Sequence, residues 1–333
     1  MKVAGIRCAG GMNIAPGLPL SRVKMHRSLY FLVMAWLVLI SASPCLAAID
    51  AAINASTLSE LQEHLLRRSP ELDRFRSRGP FSVAMHADRE VALSNTERIK
   101  ADLYLSAPAQ KAPLVIFVHG HDSSKEAHSR QAMHVASWGM HSLTVQLPNQ
   151  GPWARNGKTL SRLVRFISRT PEAIDARIDS GKIVIVGHSF GGAAVAVALA
   201  DGAPAAGGIL LDPAADRGIP PLFKNIRKPV LVLGADDELA TTLNRHLFYR
   251  SIRSRIAELS IRDAVHEDGQ YPSDYALQNH GHDPDTTEAL QITFVSAVTV
   301  AALSLAASGT FDNAWKSYGV MFQNGKFFNA RRK

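Results

Sequence analysis

Cysteine is almost absent from this chain: among 333 residues only Cys8 and Cys45 occur, both within the first 47. From residue 48 onward there is therefore no disulfide, no thiolate nucleophile and no cysteine-based metal site, so the fold must hold through its core. Acid is missing from the same leader, where Lys2, Arg7, Arg22, Lys24 and Arg27 stand without a single Asp or Glu. The rest of the chain carries 32 of the 37 Lys and Arg against 29 Asp and Glu, a net of +3 rather than +8. That balance gives no electrostatic case for a nucleic-acid partner. Internal repeats, low-complexity stretches and Pro/Gly/Ser linkers are also lacking, so residues 48–333 read as one domain.

The leader has its own logic. Met25, His26 and Arg27 form a short basic start, Leu29 to Ile40 an apolar core, and Ser41 to Ala48 a run rich in small residues. This is the grammar of a secretory signal, with cleavage expected near Ala47 or Ala48 and translation starting at Met25. The apolar core is shorter than the roughly 20 residues a membrane span needs. The mature protein is accordingly expected to be secreted or periplasmic and to hold no stable membrane span.

Thr57 with Glu60 makes a capping box ahead of Leu58, Leu61 and Leu65, which predicts a helix over 57–68. Segments 81–87 and 98–107 then read as an antiparallel strand pair, the second alternating Ile99, Ala101, Leu103 and Leu105. Beyond Pro113 the pattern changes to short apolar runs without alternation, at 113–120, 141–148, 182–189, 207–213, 228–237 and 257–266. Strands of that kind are buried on both faces, as in parallel sheets. Helical stretches at 128–138, 160–178, 191–201 and 241–254 separate most of them, and a long alanine-rich one covers 286–307. Thr293, Ser296, Thr299 and Ser304 interrupt the last, marking a packing helix rather than a span. The expected fold is α/β, a mostly parallel twisted sheet with helices on both faces.

Gly187-His188-Ser189-Phe190-Gly191 follows the apolar run IVIV and precedes the helix-prone AAVAVALA. A G-x-S-x-G match alone is weak, because chance supplies it in about one chain of this length in ten. Placement between strand and helix is what a nucleophile elbow requires: a strained turn that lifts a serine above the sheet, with glycines beside it. The dinucleotide spacing G-x-G-x-x-G is not present in GHSFGG.

A serine hydroxyl needs a base, and the base needs an orienting carboxylate. LVLGADDELA (231–240) offers Asp237 first and Asp236 second, directly after an apolar strand; Asp212 in LLDPAAD is a further candidate. Glu238 and Asp216 suit exposed turns. His266 ends the next predicted strand, 29 residues after Asp237, and is the candidate base ahead of His280 and His282. His128, His134 and His141 read as surface or helix-face residues. His280, His282, Asp283 and Asp285 form a polar cluster for which no metal role is expected. For the oxyanion, the backbone N–H of Phe190 follows the nucleophile, and Gly120 in VIFVHGHDSS makes the N–H of His121 the second donor. Trp153, just after a strand end, either lines an acyl pocket or caps the core.

The ordered set VHGH, GHSFGG, LGADD and VHEDG, over residues 81–320, resembles the α/β-hydrolase superfamily. LDPAAD and the loop after His266 make it most similar to the dienelactone-hydrolase, chlorophyllase and cutinase-like polyester-hydrolase group. It departs from that group's dienelactone hydrolase in having serine, not cysteine, as nucleophile. It also lacks the cysteine pair of some secreted polyester hydrolases. The resemblance implies a carboxylic-ester hydrolase working through an acyl-enzyme with Ser189, Asp237 and His266, needing no cofactor and acting on small-molecule or polymeric esters. An amidase with the same triad and a non-catalytic hydrolase-fold binding protein are the alternatives.

Overall fold

The computed structural model describes residues 72–107, 111–236 and 245–333. The leader, its signal, the helix expected at 57–68 and the acid candidate Asp237 all lie outside the described residues.

Nine strands make one sheet: β1 Val83–Ala92, β2 Arg98–Ser106, β3 Ala112–Val118, β4 His141–Val145, β5 Ile178–His188, β6 Gly207–Leu211, β7 Val230–Gly234, β8 Ile256–Ile261 and β9 Phe327–Arg332. Their spatial order is β1-β2-β4-β3-β5-β6-β7-β8-β9. The block from β4 through β8 is parallel throughout. β1 and β2 enter antiparallel, as the alternation in 98–107 predicts, and β9 returns antiparallel against β8. A bulge between His86 and Arg89 interrupts the β1–β2 ladder.

The non-alternating runs explain the layers. Within β3, Leu114, Ile116 and Val118 face one apolar cluster while Val115 and Phe117 face the other. In β5, Ile183 and Ile185 oppose Val184 and Val186 in the same way. Both faces must therefore be covered by helices. These are α1 Ser129–Ser137, α2 Trp153–Arg169, α3 Phe190–Ala200, α4 Arg245–Ser251, α5 Tyr275–Asn279, α6 Pro284–Ser308, α7 Asp312–Ser317 and α8 Gly319–Gln323. α2 and α3 share one cluster, α1 and α6 the other.

The second expected helix is shifted. It occupies Trp153–Arg169 rather than 160–178, because Pro152 supplies its N-cap and Pro171 forbids continuation. Thr170, the residue before that proline, leaves the helical region at φ −137° and ψ 61°. β9 was not foreseen: FFNARR buries only Phe327 and lacks the apolar density of the central strands.

α6 is long and apolar enough to cross a membrane by composition, yet 83% of its apolar window is buried inside the fold. Its buried polar side chains find partners in place, except the Thr287 hydroxyl, which has none among the described residues. Arg76 donates to Thr293 Oγ1 at 3.0 Å, Ser296 Oγ donates to the Phe75 carbonyl at 3.0 Å, and the Tyr318 hydroxyl donates to the Ala297 carbonyl at 2.7 Å. Burial of Phe294, Val295, Val298 and Leu305 contributes about 1.5–3 kcal/mol each. α6 is a core helix.

Candidate active site

β5 ends at His188 and α3 begins at Phe190, leaving Ser189 alone in the turn with φ 54° and ψ −128°. A non-glycine residue tolerates that conformation only when its surroundings hold it. They do: Ser189 N–H donates to the Leu211 carbonyl at 3.0 Å, and its own carbonyl accepts from Gly192 and Ala214. The flanking glycines are obligatory, since a Cβ on Gly187 would lie 2.3 Å from the Gly191 carbonyl oxygen and one on Gly191 2.4 Å from that of His119. Ser189 is 7% exposed.

β6, the strand beside β5, delivers the carboxylate. Asp212 follows Leu211 at φ 37° and is 4% exposed. Its N–H donates to the Leu233 carbonyl at 2.8 Å, and its Oδ1 accepts from the Ala235 N–H at 3.0 Å. The other oxygen, Oδ2, meets Nδ1 of His266 at 2.6 Å. His266 opens a short 3₁₀ turn after β8, His266–Gly269, and is 8% exposed. Asp268 closes that turn by accepting from the Val265 N–H at 2.9 Å.

Asp236 does not meet the histidine ring. Its carboxylate accepts from the Asp263 N–H at 2.9 Å, and its own N–H donates to Ala264, so it ties down the loop before His266. Of the three acid candidates, Asp212 is thus the one in contact with the base within the described residues. His280 is exposed, near Tyr275, and Asp283 caps α6 through the Thr286 N–H at 2.9 Å.

The loop after β3 lies directly over the elbow. A Cβ on Gly120 would come within 2.9 Å of Ser189 Cβ, so the backbone passes there only because glycine has no side chain. The N–H groups of His121 and Phe190 donate to no acceptor among the described residues. His119 anchors the loop, its Nδ1 at 2.8 Å from the Gly120 carbonyl and its Nε2 within 3.1 Å of the Leu147 N–H; burial pushes its pKa down, favouring the neutral ring. Trp153 is only 3% exposed and stacks on Phe190 at 5.6 Å, which in turn lies 6.0 Å from the exposed His121 ring.

Sequence reasoning missed several buried histidines, of which His188 lies beside His266 and His128 beside His188. His128, His134 and His141 are all buried, not on the surface. His188, the variable position of the serine motif, is buried too and donates through Nε2 to the His266 carbonyl at 2.8 Å. Its ring sits 4.5 Å from that of His266. Burial, then the nearness of His266 and His128, holds its pKa well below the usual imidazole range, so it stays neutral. His128 pairs with Gln131, whose amide donates to the Gly269 carbonyl at 3.1 Å, and its own pKa falls to about 4 through burial. The signal was available only as an excess of histidine, 13 in the chain.

A parallel sheet with a serine elbow after β5 and a histidine after β8 defines an α/β hydrolase. The Alpha/beta hydrolase family profile matches residues 115–319, and the chain belongs to that family. It is, at that level, a hydrolase. No curated protein matches it.

Proposed function

We propose that the protein is an extracytoplasmic serine esterase in which Ser189 attacks the carbonyl of a carboxylic ester. The observation that carries this reading is the 2.6 Å contact between His266 Nδ1 and Asp212 Oδ2 beside the strained Ser189 turn. With Nδ1–H held by Asp212, the histidine presents Nε2 to take the serine proton, and the neighbouring carboxylate stabilises the imidazolium that forms. The N–H groups of His121 and Phe190 hold the oxyanion, each contributing on the order of 3 kcal/mol to lowering the barrier. Ser189 Oγ bonds to the acyl carbon while the bond to the alkoxy oxygen breaks. The proton passes from His266 to the departing alcohol. Water, deprotonated by the same histidine, then releases the acid.

The expected substrates are small-molecule or polymeric esters of the kind handled by the dienelactone-hydrolase and cutinase-like group. A series of p-nitrophenyl esters of increasing acyl length tests it, with Ser189→Ala alongside. Turnover by the wild type and a loss of about 10³-fold or more in the variant are expected. Equal rates would sink the serine mechanism, and a chain unreactive toward a fluorophosphonate would point to the binding-protein alternative. Export rests on the leader: the mature N-terminus recovered from culture fluid or periplasm is expected at Ala48 or Ile49.

A further inference from the structure

The charge of this protein is unevenly spread. Between residues 217 and 255 stand eight Lys and Arg against three Asp and Glu, whereas the remainder from residue 48 holds 24 against 26. The three acids are consecutive, 236–238, after β7. The basic excess of the mature chain therefore belongs to one segment, which folds as the 3₁₀ turn Pro220–Asn225, β7 and α4.

The turn and α4 pack side by side through Phe223 and Phe248, whose rings stack at 4.8 Å. With those aromatics turned inward, the cations face out: Arg217, Lys224, Arg227, Lys228, Arg250, Arg253 and Arg255 are all exposed. Between turn and helix runs a groove of about 560 Å³, bordered by Arg217, Lys224, Arg250 and Arg253. Pro220, Pro221 and Leu247 give it an apolar floor, Ser251 adds one hydroxyl, and no carboxylate among the described residues lines it. Leu222 on the same turn is 37% exposed, one of four large apolar side chains so exposed among the described residues. Arg255 pairs with Asp312, but the four groove cations have no ion-pair partner among the described residues.

We propose that this face docks the protein on an anionic lipid surface, headgroup phosphates meeting the cations and the glycerol and upper acyl region meeting Leu222, Pro221 and Leu247. Two features select a lipid over other polyanions. The floor is apolar where a nucleic-acid or polysaccharide site would carry stacking aromatics or hydrogen-bonding side chains. The cations also ring that floor, the pattern by which peripheral proteins combine apolar insertion with attraction to acidic headgroups. None of the described residues that line the groove belongs to the Ser189–His266–Asp212 site.

Cosedimentation of the purified protein with phosphatidylglycerol vesicles and with phosphatidylcholine vesicles tests this. Binding to the first only is expected, weakening as salt rises, because the attraction is screened. Arg217→Gln/Lys224→Gln/Arg250→Gln/Arg253→Gln is expected to lose about a hundredfold or more in partition. A control neutralising Lys100, Lys158, Arg169 and Lys316, all exposed elsewhere, is expected to retain binding, as is Ser189→Ala. Failure to bind anionic vesicles, equal loss in the control, or displacement by soluble glycerol phosphate would each overturn the proposal. So would binding to heparin or DNA that matches vesicle binding and is lost with the same four residues.

Discussion

At the residue scale the proposed mechanism rests on the contact of Asp212 with His266, and two substitutions separate it from its rival. Asp212→Asn is expected to lower kcat by 10³–10⁴-fold with little change in KM, because the amide favours the wrong tautomer of His266. Asp237→Asn is expected to stay within about tenfold of wild type; steady-state kinetics on one activated ester decides, and the reverse result would move the acid to Asp237. His188 makes a second case. His188→Phe keeps an aromatic ring there but removes the Nε2–H donated to the His266 carbonyl, so the base is less firmly placed. A fall in kcat of about tenfold or more, with KM unchanged and fluorophosphonate labelling slowed in proportion, is expected. Sequence order and strand ends single out Ser189, His266 and the His121 loop as candidates, and the structure sets Gly120 against Ser189 and Asp212 against His266. Strand-end position favours Asp237, then Asp236, ahead of Asp212, yet Asp212 is the one that meets His266 among the described residues; which strand lies beside β5 is not written along the chain. His188 was invisible for a related reason: its role is a contact with a carbonyl 78 positions away.

Elements differ in how openly they declare themselves. The central strands are legible because burial on both faces demands uninterrupted apolar runs, and α3 because alanine and valine follow the glycine turn. β9 is not, since an edge strand needs one buried residue and otherwise carries whatever charge its neighbours tolerate. The turn Lys125–His128 is held by a device equally hard to foresee. Lys125 Nζ lies 2.8 Å from both oxygens of Asp102 on β2, with Glu126 at 2.6 Å and Asp88 at 3.1 Å. Lysine and Asp102 are both buried. These carboxylates raise the ammonium pKa above its ordinary value despite desolvation, which is the largest single influence and acts the other way. Lys125→Met would leave Asp102 buried and uncompensated, costing about 3–5 kcal/mol in urea denaturation. Lys125→Met/Asp102→Leu is expected to recover much of that loss.

For the whole molecule the buried histidines set a pH limit. His128 and His134 have folded-state pKa values of about 4, both lowered chiefly by burial, whereas in the unfolded chain they titrate near 6.5. Between those values the unfolded state binds more protons, so stability is complete above about pH 6.5 and falls as pH drops toward 4. Each histidine contributes up to ~3 kcal/mol to that slope. Urea midpoints measured at pH 7, 5.5 and 4.5 are expected to decline steadily, and His134→Gln to flatten the decline. A flat midpoint down to pH 4.5 would contradict the burial of these rings as neutral species.

The bulge between His86 and Arg89 bears on how copies of the protein meet. Within the described residues β1 and β9 are the margins of the sheet, and a margin offers unpaired backbone groups to any passing strand. At the bulge Asp88 turns to φ 51° and gives its N–H to Asp102 while its carboxylate reaches Lys125, so the ladder is broken where another strand would dock. The opposite margin carries Arg331 and Arg332, one engaged with Glu258 and the other with Asp312. Both rims of the described sheet are thereby unfavourable for edge-on pairing.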